Sequence, residues 1–87
     1  MFVYILKSLK DLKTYTGFSL DIEKRIKEHN QGKVDATKHR RPFVLLYKEN
    51  CSDLKEAKKR EKYWKSGAGR RKLKQFFKNG FPLIQNE

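Results

Sequence analysis

The sequence is poor in cysteine, which limits how its fold can be held together. Cys51 is the only cysteine among 87 residues, so no disulfide can form within the chain. Cys51, His29 and His39 are also its only soft metal ligands, and they lack the spacing of a zinc finger. The fold must therefore rest on a thin apolar core, and a reducing compartment suits it.

Long apolar runs and acidic side chains are scarce as well. No apolar stretch approaches the ~20 residues of a membrane span, and Met1 begins a strand-like segment without a signal-peptide pattern, so we expect a cytoplasmic protein with no membrane contact. Only 10 Asp and Glu oppose 22 Lys and Arg, which leaves a net charge of +12. Such an excess favours a polyanionic partner, most simply nucleic acid, over a surface that is merely basic and solvated.

The first apolar segments predict a β-hairpin. Residues 2–6 (FVYIL) are β-prone and apolar on both faces, which is typical of a central strand. A polar link with a plausible turn at residues 10–11 leads to a second β-prone run, residues 14–18. Antiparallel pairing of the two runs would place Tyr4 and Tyr15 on neighbouring strands.

An amphipathic helix is predicted after the hairpin. Gly17 permits a turn out of the strand, and Ser19 is the expected N-cap of the helix. At about 100° per residue, Ile22 points inward while Arg25 and His29, four residues apart, lie together at the edge of the apolar face. An arginine at that edge either snorkels to solvent or lines a cleft, and the helix alone leaves both open.

The second half of the chain predicts one more strand and two more helices. A basic loop, residues 33–41, leads into the apolar run 43–47. A capping signal opens a helix over residues 53–65. The glycines within residues 67–69 indicate a break before a third helical pattern over residues 70–78.

These elements define the expected architecture. In the third helix we expect Leu73, Phe76 and Phe77 to face the core, with a short tail from residue 81 onwards. We therefore predict a single α/β domain over residues 1–87. It has a small, mainly antiparallel three-stranded sheet flanked by three helices, in the order β-β-α-β-α-α.

A carboxylate interrupts the apolar face of the second predicted helix. On a helical wheel Glu61 falls on the same side as Ala57 and Trp64. Such a carboxylate costs free energy unless a cation or hydrogen bonds compensate it. A structural ion pair and a functional role are equally compatible with this position.

The positions of these side chains resemble the GIY-YIG nuclease family. The run FVYIL around Tyr4 loosely matches the first signature, and YTG, which starts at Tyr15, matches the second with threonine for isoleucine. The helical arginine of the family matches Arg25, the histidine or tyrosine one turn later matches His29, and the glutamate matches Glu61 within KKREKYWK. The run TKHRRPFVLLY looks like the third-strand region of the small, stand-alone bacterial members. The chain also resembles the N-terminal nuclease module of the bacterial excinuclease.

One feature of many family members is missing. They carry an asparagine about a dozen residues after the glutamate, whereas that place here is near Leu73, and the next asparagine is Asn79. Small stand-alone members often lack it too.

The resemblance implies a separate role for each of the matched residues. Glu61 would hold one Mg²⁺ or Mn²⁺, because a single carboxylate suits a cation that keeps several waters. Arg25 would hold the scissile phosphate through its planar fork. Tyr4 would act as general base and Tyr15 would position the phosphate, although the resemblance admits either order, and His29 would tune a tyrosine. A tyrosine can serve as base only if its pKa, about 10 in water, is lowered.

Each residue also has a purely structural interpretation. Tyr4 and Tyr15 are candidate core aromatics with solvated hydroxyls. His29 is a candidate helix C-terminal cation, which the helix dipole favours. The joint occurrence of the matches favours the functional interpretation most for Tyr4, Tyr15, Arg25 and Glu61.

The predicted function is divalent-metal-dependent endonucleolytic cleavage of DNA, in a repair or recombination role, with no small-molecule cofactor. Alternatives are a basic DNA- or RNA-binding module with a decayed site, and an RNA- or ribosome-associated protein. Further basic residues are candidates for contacts with the nucleic acid: Lys38, His39, Arg40, Arg41, Lys58, Lys62 and Lys65.

Overall fold

The computed structural model describes residues 1–82 and contains a three-stranded antiparallel sheet and three helices. The elements are β1 (Phe2–Ser8), β2 (Thr14–Ser19), α1 (Ile22–Asn30), β3 (Phe43–Asn50), α2 (Leu54–Lys65) and α3 (Gly67–Asn79). The predicted fold class and element order are confirmed. Of the expected tail, residues 83–87 lie outside the described residues. No helix within residues 1–82 combines the length and apolarity needed to cross a bilayer.

The sheet has the strand order β2-β1-β3, so β1 is central as predicted. Val3 and Ile5 of β1 are fully buried in one apolar cluster with Ala57 and Trp64 of α2. Since side chains alternate along a strand, Tyr4 and its neighbours point to the other face, where they pack with residues of α1. Therefore α1 and α2 lie on opposite faces of the sheet, and β2 forms one of its edges.

The start of α1 differs from the prediction. Asp21, not Ser19, caps the helix, because its Oδ1 accepts a hydrogen bond from the backbone N–H of Lys24 at 3.1 Å. Ser19 is the last residue of β2, and its Oγ accepts from the N–H of Asp21 at 3.1 Å in the tight connection. Both residue types are good N-caps, and the backbone path decides which one reaches the helix. Ile22 is buried as expected.

The start of α3 also differs from the prediction. The glycine-rich segment is not a break but the first turn of α3, capped by Ser66, whose Oγ accepts from the N–H of Gly69 at 3.3 Å. A Cβ atom at Gly69 would overlap the carbonyl oxygen of Tyr63 and lie 2.6 Å from the Cα of Trp64. The glycine therefore permits the close crossing of α2 and α3. Leu73 is buried as expected, whereas Phe77 is 50% exposed and its predicted place in the core was wrong.

Candidate active site

The side chain of Tyr4 crosses β2 at a glycine. Tyr4 is the cross-strand partner of Gly17, and it is almost completely buried. A Cβ atom at residue 17 would lie 2.6 Å from the Tyr4 hydroxyl oxygen and 2.8 Å from its Cζ. Gly17 has no positive φ angle, so the turn-forming role expected for it is not the reason for a glycine here. Its role is to give the Tyr4 hydroxyl room at the edge of the sheet.

Both site tyrosines contact the same imidazole. His29 lies in the last turn of α1, is fully buried, and has its Nε2 at 2.9 Å from the Tyr4 hydroxyl oxygen. The ring centroids of Tyr15 and His29 are 5.1 Å apart, and those of Tyr4 and His29 are 5.8 Å apart, both with edge-on geometry. The structure therefore brings together three side chains that the sequence separates by up to 25 positions.

The second nitrogen of His29 contacts a residue that the sequence patterns did not single out. Its Nδ1 lies 2.7 Å from the Oγ1 of Thr37, which is fully buried within the loop before β3. Burial lowers the pKa of His29, and the nearby positive charge of Arg25 lowers it further. The ring is therefore neutral at pH 7, which speaks against His29 as a helix C-terminal cation.

Arg25 approaches the Tyr4 hydroxyl from α1. Its side chain is 37% exposed, and its Nη1 donates a hydrogen bond to Glu28 Oε1 at 3.2 Å. Burial raises the pKa of Tyr4, against the opposing effect of a hydrogen bond from Arg25. The charges of Tyr15 and Glu61 add to the upward shift. The net pKa of Tyr4 is above its ordinary value, so the protein alone does not meet the condition for a tyrosine base.

Glu61 lies on α2, which packs against the opposite face of the sheet from α1. It lies on the stripe of α2 that also carries the buried Ala57 and Trp64, and its own side chain is 25% exposed. Its Oε2 lies 3.4 Å from the Nζ of Lys65, one turn later. The charges of Arg25 and Glu61 both influence the pKa of Tyr4, Arg25 lowering it and Glu61 raising it.

The carboxylate of Glu61 sets the metal chemistry that this region can support. Within residues 1–82 there is no group of three or more His, Cys, Asp or Glu side chains placed to enclose an ion. The described residues therefore form no cage of such side chains of the kind that binds structural zinc. A single carboxylate fits Mg²⁺ or Mn²⁺, which keep most of their waters and accept phosphate oxygens as ligands.

A groove extends from the site along β2 toward α3. It encloses about 320 Å³ between the strand and the two C-terminal helices. Its lining residues are Thr14, Tyr15, Thr16, Trp64, Lys65, Arg70 and Leu73. Arg70 also lines a neighbouring depression with Lys13 and Lys74. Sequence reasoning missed Arg70, although the acid-free sequence of α3 was a usable signal.

The residues predicted to contact nucleic acid divide into two groups. In the loop before β3, Arg40 Nε lies 2.6 Å from Asp11 Oδ2, and Arg41 Nε donates to the Lys38 carbonyl oxygen at 2.8 Å. His39 is exposed, and its carbonyl oxygen accepts from Lys10 Nζ at 3.0 Å. The side chains of Arg40, Arg41 and Lys10 hold the loop in place. Contact of Lys38, His39, Arg40 and Arg41 with nucleic acid stays a prediction.

The predicted contacts on α2 are less constrained. Lys58 and Lys62 are exposed on α2, and Lys65 lines the groove beside Tyr15. Lys65 therefore connects Glu61 with the groove, whereas the roles of Lys58 and Lys62 also stay predictions.

Known protein families and structures resemble this chain over most of its length. The profile described as "GIY-YIG catalytic domain" matches residues 1–74. The UPF0213 protein SH2523 of Staphylococcus haemolyticus is 46% identical over 74 residues, which cover 84% of this chain and 89% of that protein. A UPF0213 protein of Syntrophus aciditrophicus is 47% identical over 62 residues, 69% of this chain and 70% of that protein.

A solved structure is similar as well. The solution NMR structure of the UPF0213 protein BH0048 from Bacillus halodurans is 35% identical in sequence, with a TM-score of 0.53. The match covers 93% of this chain and 86% of that one. With a profile match over residues 1–74 and curated relatives above 40% identity, the chain belongs to the GIY-YIG catalytic domain family.

Proposed function

We propose that this protein is a divalent-metal-dependent endonuclease that hydrolyses phosphodiester bonds in DNA. The observation that carries the proposal is the Tyr4 hydroxyl, which passes Gly17 to the edge of the sheet within reach of His29 and Arg25. A tyrosine that only fills the core would not need the space that Gly17 leaves for its hydroxyl. A purely structural hydrogen bond to His29 would not need the charge of Arg25 beside it. Membership of the GIY-YIG catalytic domain family supports the same function.

Phosphodiester hydrolysis needs a clamp on the phosphate, a base for the attacking water and charge relief on the leaving oxygen. Arg25 is half-exposed beside Tyr4, so its guanidinium is able to bind a phosphate while it still favours the phenolate. Tyr4 acts as the base in this scheme. Tyr15 packs on the same imidazole and lines the groove, which suits it to position the phosphate.

Glu61 would hold the divalent ion. When bound there, Mg²⁺ or Mn²⁺ supplies the positive charge that stabilises the leaving oxygen. The negative charge of Glu61 is one of the influences that raise the pKa of Tyr4. Neutralising that charge therefore removes one small upward influence on the Tyr4 pKa, while burial remains the largest.

The substrate follows from charge and size. Lys65 and Arg70 line the groove that leaves the site, and a net charge of +12 attracts a polyanion. Phosphate contacts of this kind carry no sequence information, so cleavage should show little sequence preference. A repair or recombination enzyme that acts on DNA structure fits such a surface.

The direct test is nicking of supercoiled plasmid DNA with and without Mg²⁺. We expect Glu61→Gln to lose cleavage by orders of magnitude, because a hard cation needs an anionic oxygen here. Its affinity for DNA without metal should hold or rise, since one charge that repels phosphate is removed. Glu23→Gln, which removes an exposed carboxylate from α1, is the matched control and should cleave normally.

Arg25→Ala should behave differently from Glu61→Gln. It removes a phosphate ligand, so both cleavage and DNA affinity should fall. Lys24→Ala, the exposed neighbour on α1, is its control. Cleavage by Glu61→Gln at the wild-type rate would contradict the proposal. Unfolding of Glu61→Gln would instead identify the carboxylate as the partner of a structural ion pair with Lys65.

A second candidate is a basic DNA- or RNA-binding module without catalysis. It is favoured by the position of Leu73, which is buried where many family members carry an asparagine. Tight binding with no Mg²⁺-dependent nicking in any variant would support it. Competition between RNA and DNA at fixed salt would then distinguish a DNA-binding module from an RNA- or ribosome-associated one.

A further inference from the structure

Thr37 is buried in the basic loop before β3, and its contacts indicate which group accepts the hydrogen of its hydroxyl. Its Oγ1 lies 2.7 Å from His29 Nδ1 and 3.4 Å from the carbonyl oxygen of Val34. That carbonyl already accepts from the backbone N–H groups of Thr37, at 3.0 Å, and Lys38, at 2.9 Å. The hydroxyl hydrogen therefore has a better acceptor in the imidazole than in the carbonyl.

The other nitrogen of the ring, Nε2, lies 2.9 Å from the Tyr4 hydroxyl oxygen and takes the role that Nδ1 does not. A neutral imidazole carries one N–H, so an accepting Nδ1 requires a protonated Nε2. Burial, which lowers the pKa of His29, keeps the ring neutral.

We propose that Thr37 is a positioning residue whose hydroxyl holds His29 in the Nε2–H tautomer, so that the imidazole donates a hydrogen bond to the Tyr4 oxygen. The opposite tautomer would turn His29 into an acceptor for the Tyr4 hydroxyl. In the proposed arrangement the Tyr4 oxygen accepts from His29, and Arg25 lowers its pKa in the same sense. Donors to an ionised oxygen favour its charged form.

The consequence for catalysis rests on the proposed nuclease function. With His29 donating, the hydroxyl hydrogen of Tyr4 is directed away from the buried ring. His29 is then not the acceptor of the Tyr4 proton; it stabilises the phenolate that forms. Thr37 touches neither the substrate nor the reacting atoms in this scheme and acts only through His29.

The first test reads the tautomer directly. We expect the imidazole nitrogen NMR spectrum of the wild-type protein, without metal or DNA at pH 7.5, to show a protonated Nε2 and an unprotonated Nδ1 for His29. His39, the only other histidine, is exposed and provides an internal reference. A protonated Nδ1 on His29 overturns the proposal whether or not the protein cleaves DNA. Absence of nicking by the wild-type protein would contradict the proposed function and leave this measurement decisive for the tautomer.

The second test separates the hydroxyl from its volume. Thr37→Val keeps the shape and removes the oxygen, whereas Thr37→Ser keeps the oxygen. We expect Thr37→Val to give both His29 tautomers in exchange and to reduce the nicking rate about 2–10-fold, the scale of one hydrogen bond, with unchanged DNA affinity. Thr37→Ser should retain the wild-type tautomer and most of the rate. If Thr37→Val has the wild-type spectrum and nicking rate, the proposal is overturned. If Thr37→Val unfolds, the tautomer of the wild-type protein and the nicking rate of Thr37→Ser test the proposal instead.

Discussion

The Tyr4 hydroxyl reaches the sheet edge because residue 17 has no side chain. In Gly17→Ala the new Cβ would approach the Tyr4 oxygen to 2.6 Å, and the buried ring has little freedom to move away. We expect a loss of about 1–3 kcal/mol in the free energy of unfolding, as for other overpacked sites. The nicking rate should fall more steeply than DNA affinity, because the phosphate contacts are left in place.

Chemical denaturation, nicking and DNA binding assays measure these three effects. Gly67→Ala is the matched control, because a Cβ there meets only Arg71 Nη1, at 3.5 Å. A Gly17→Ala variant with wild-type stability and activity would show that the hydroxyl does not need this passage.

His29 should leave a signature in the dependence of stability on pH. Burial and then the charge of Arg25 lower its pKa in the folded state, whereas the unfolded chain has a value near 6.5. The unfolded state therefore binds more protons around and below pH 6.5, and stability falls as the pH decreases through that range.

We expect His29→Gln to lose this contribution, so that its unfolding free energy changes less between pH 7.5 and pH 5.5 than that of the wild type. Urea denaturation at both pH values measures the difference. Equal slopes for the two proteins would mean that the folded state does not depress the pKa of His29.

Some site residues were accessible from the sequence, and others were not. Arg25 and His29 follow from helical spacing, and Glu61 stands out as a carboxylate on an apolar stripe. Thr37 and Arg70 were missed because their roles depend on contacts made across the chain. The direction of the Tyr4 pKa shift could not be predicted from the sequence either. The raising effect of burial is larger than the lowering effect of Arg25, and only the structure shows how deeply Tyr4 is buried.

At the scale of elements, strand and helix periods predicted the order and type of the six elements that residues 1–82 form. The boundaries were less predictable, because local capping preference does not specify the path of the backbone. Ser19 and Asp21 have similar intrinsic value as caps, and only the tight connection after β2 selects Asp21. Gly67 and Gly69 indicate a helix break when the sequence is considered alone, whereas in the packed helix pair they form the first turn of α3.

The crossing of α2 and α3 gives a prediction at this scale. Gly69→Ala places a Cβ 2.6 Å from the Trp64 Cα and 2.9 Å from its carbonyl carbon, and a backbone cannot yield as a side-chain tip can. We expect a loss of about 2 kcal/mol or more in the free energy of unfolding.

Gly67→Ala in the same helical turn should be neutral or slightly stabilising, because alanine is the better helix former. Thermal and urea unfolding of the pair measure the contrast. Similar stability of the two variants would mean that the helices do not need the close approach.

At the scale of the whole molecule, the cations differ in how far they are already paired. Arg40 is held by Asp11, and Arg60 Nε lies 3.0 Å from Glu49 Oε1. The helix α3, by contrast, carries only basic charged residues, and Arg70 lines both depressions beside β2. The positive charge of the described residues is thus presented unevenly, because Arg40 and Arg60 are held by carboxylates whereas Arg70 lines the depressions beside β2.

This unevenness predicts which cations control the binding of DNA. Lys and Arg release condensed counterions when they contact phosphates, so log Kobs falls linearly with log[salt], by about 0.9 per contact on duplex DNA. We expect a steep salt dependence for the wild type, and a slope shallower by about 0.9 for Arg70→Ala, with weaker binding to every sequence. Lys55→Ala removes an equal charge at the first turn of α2, about 15 Å along the helix from the groove residue Lys65, and should leave the slope unchanged. Filter binding on one duplex between 50 and 300 mM KCl measures all three slopes. An affinity independent of salt would contradict the phosphate contacts altogether, and equal slopes for the two variants would show that the groove is not where DNA binds.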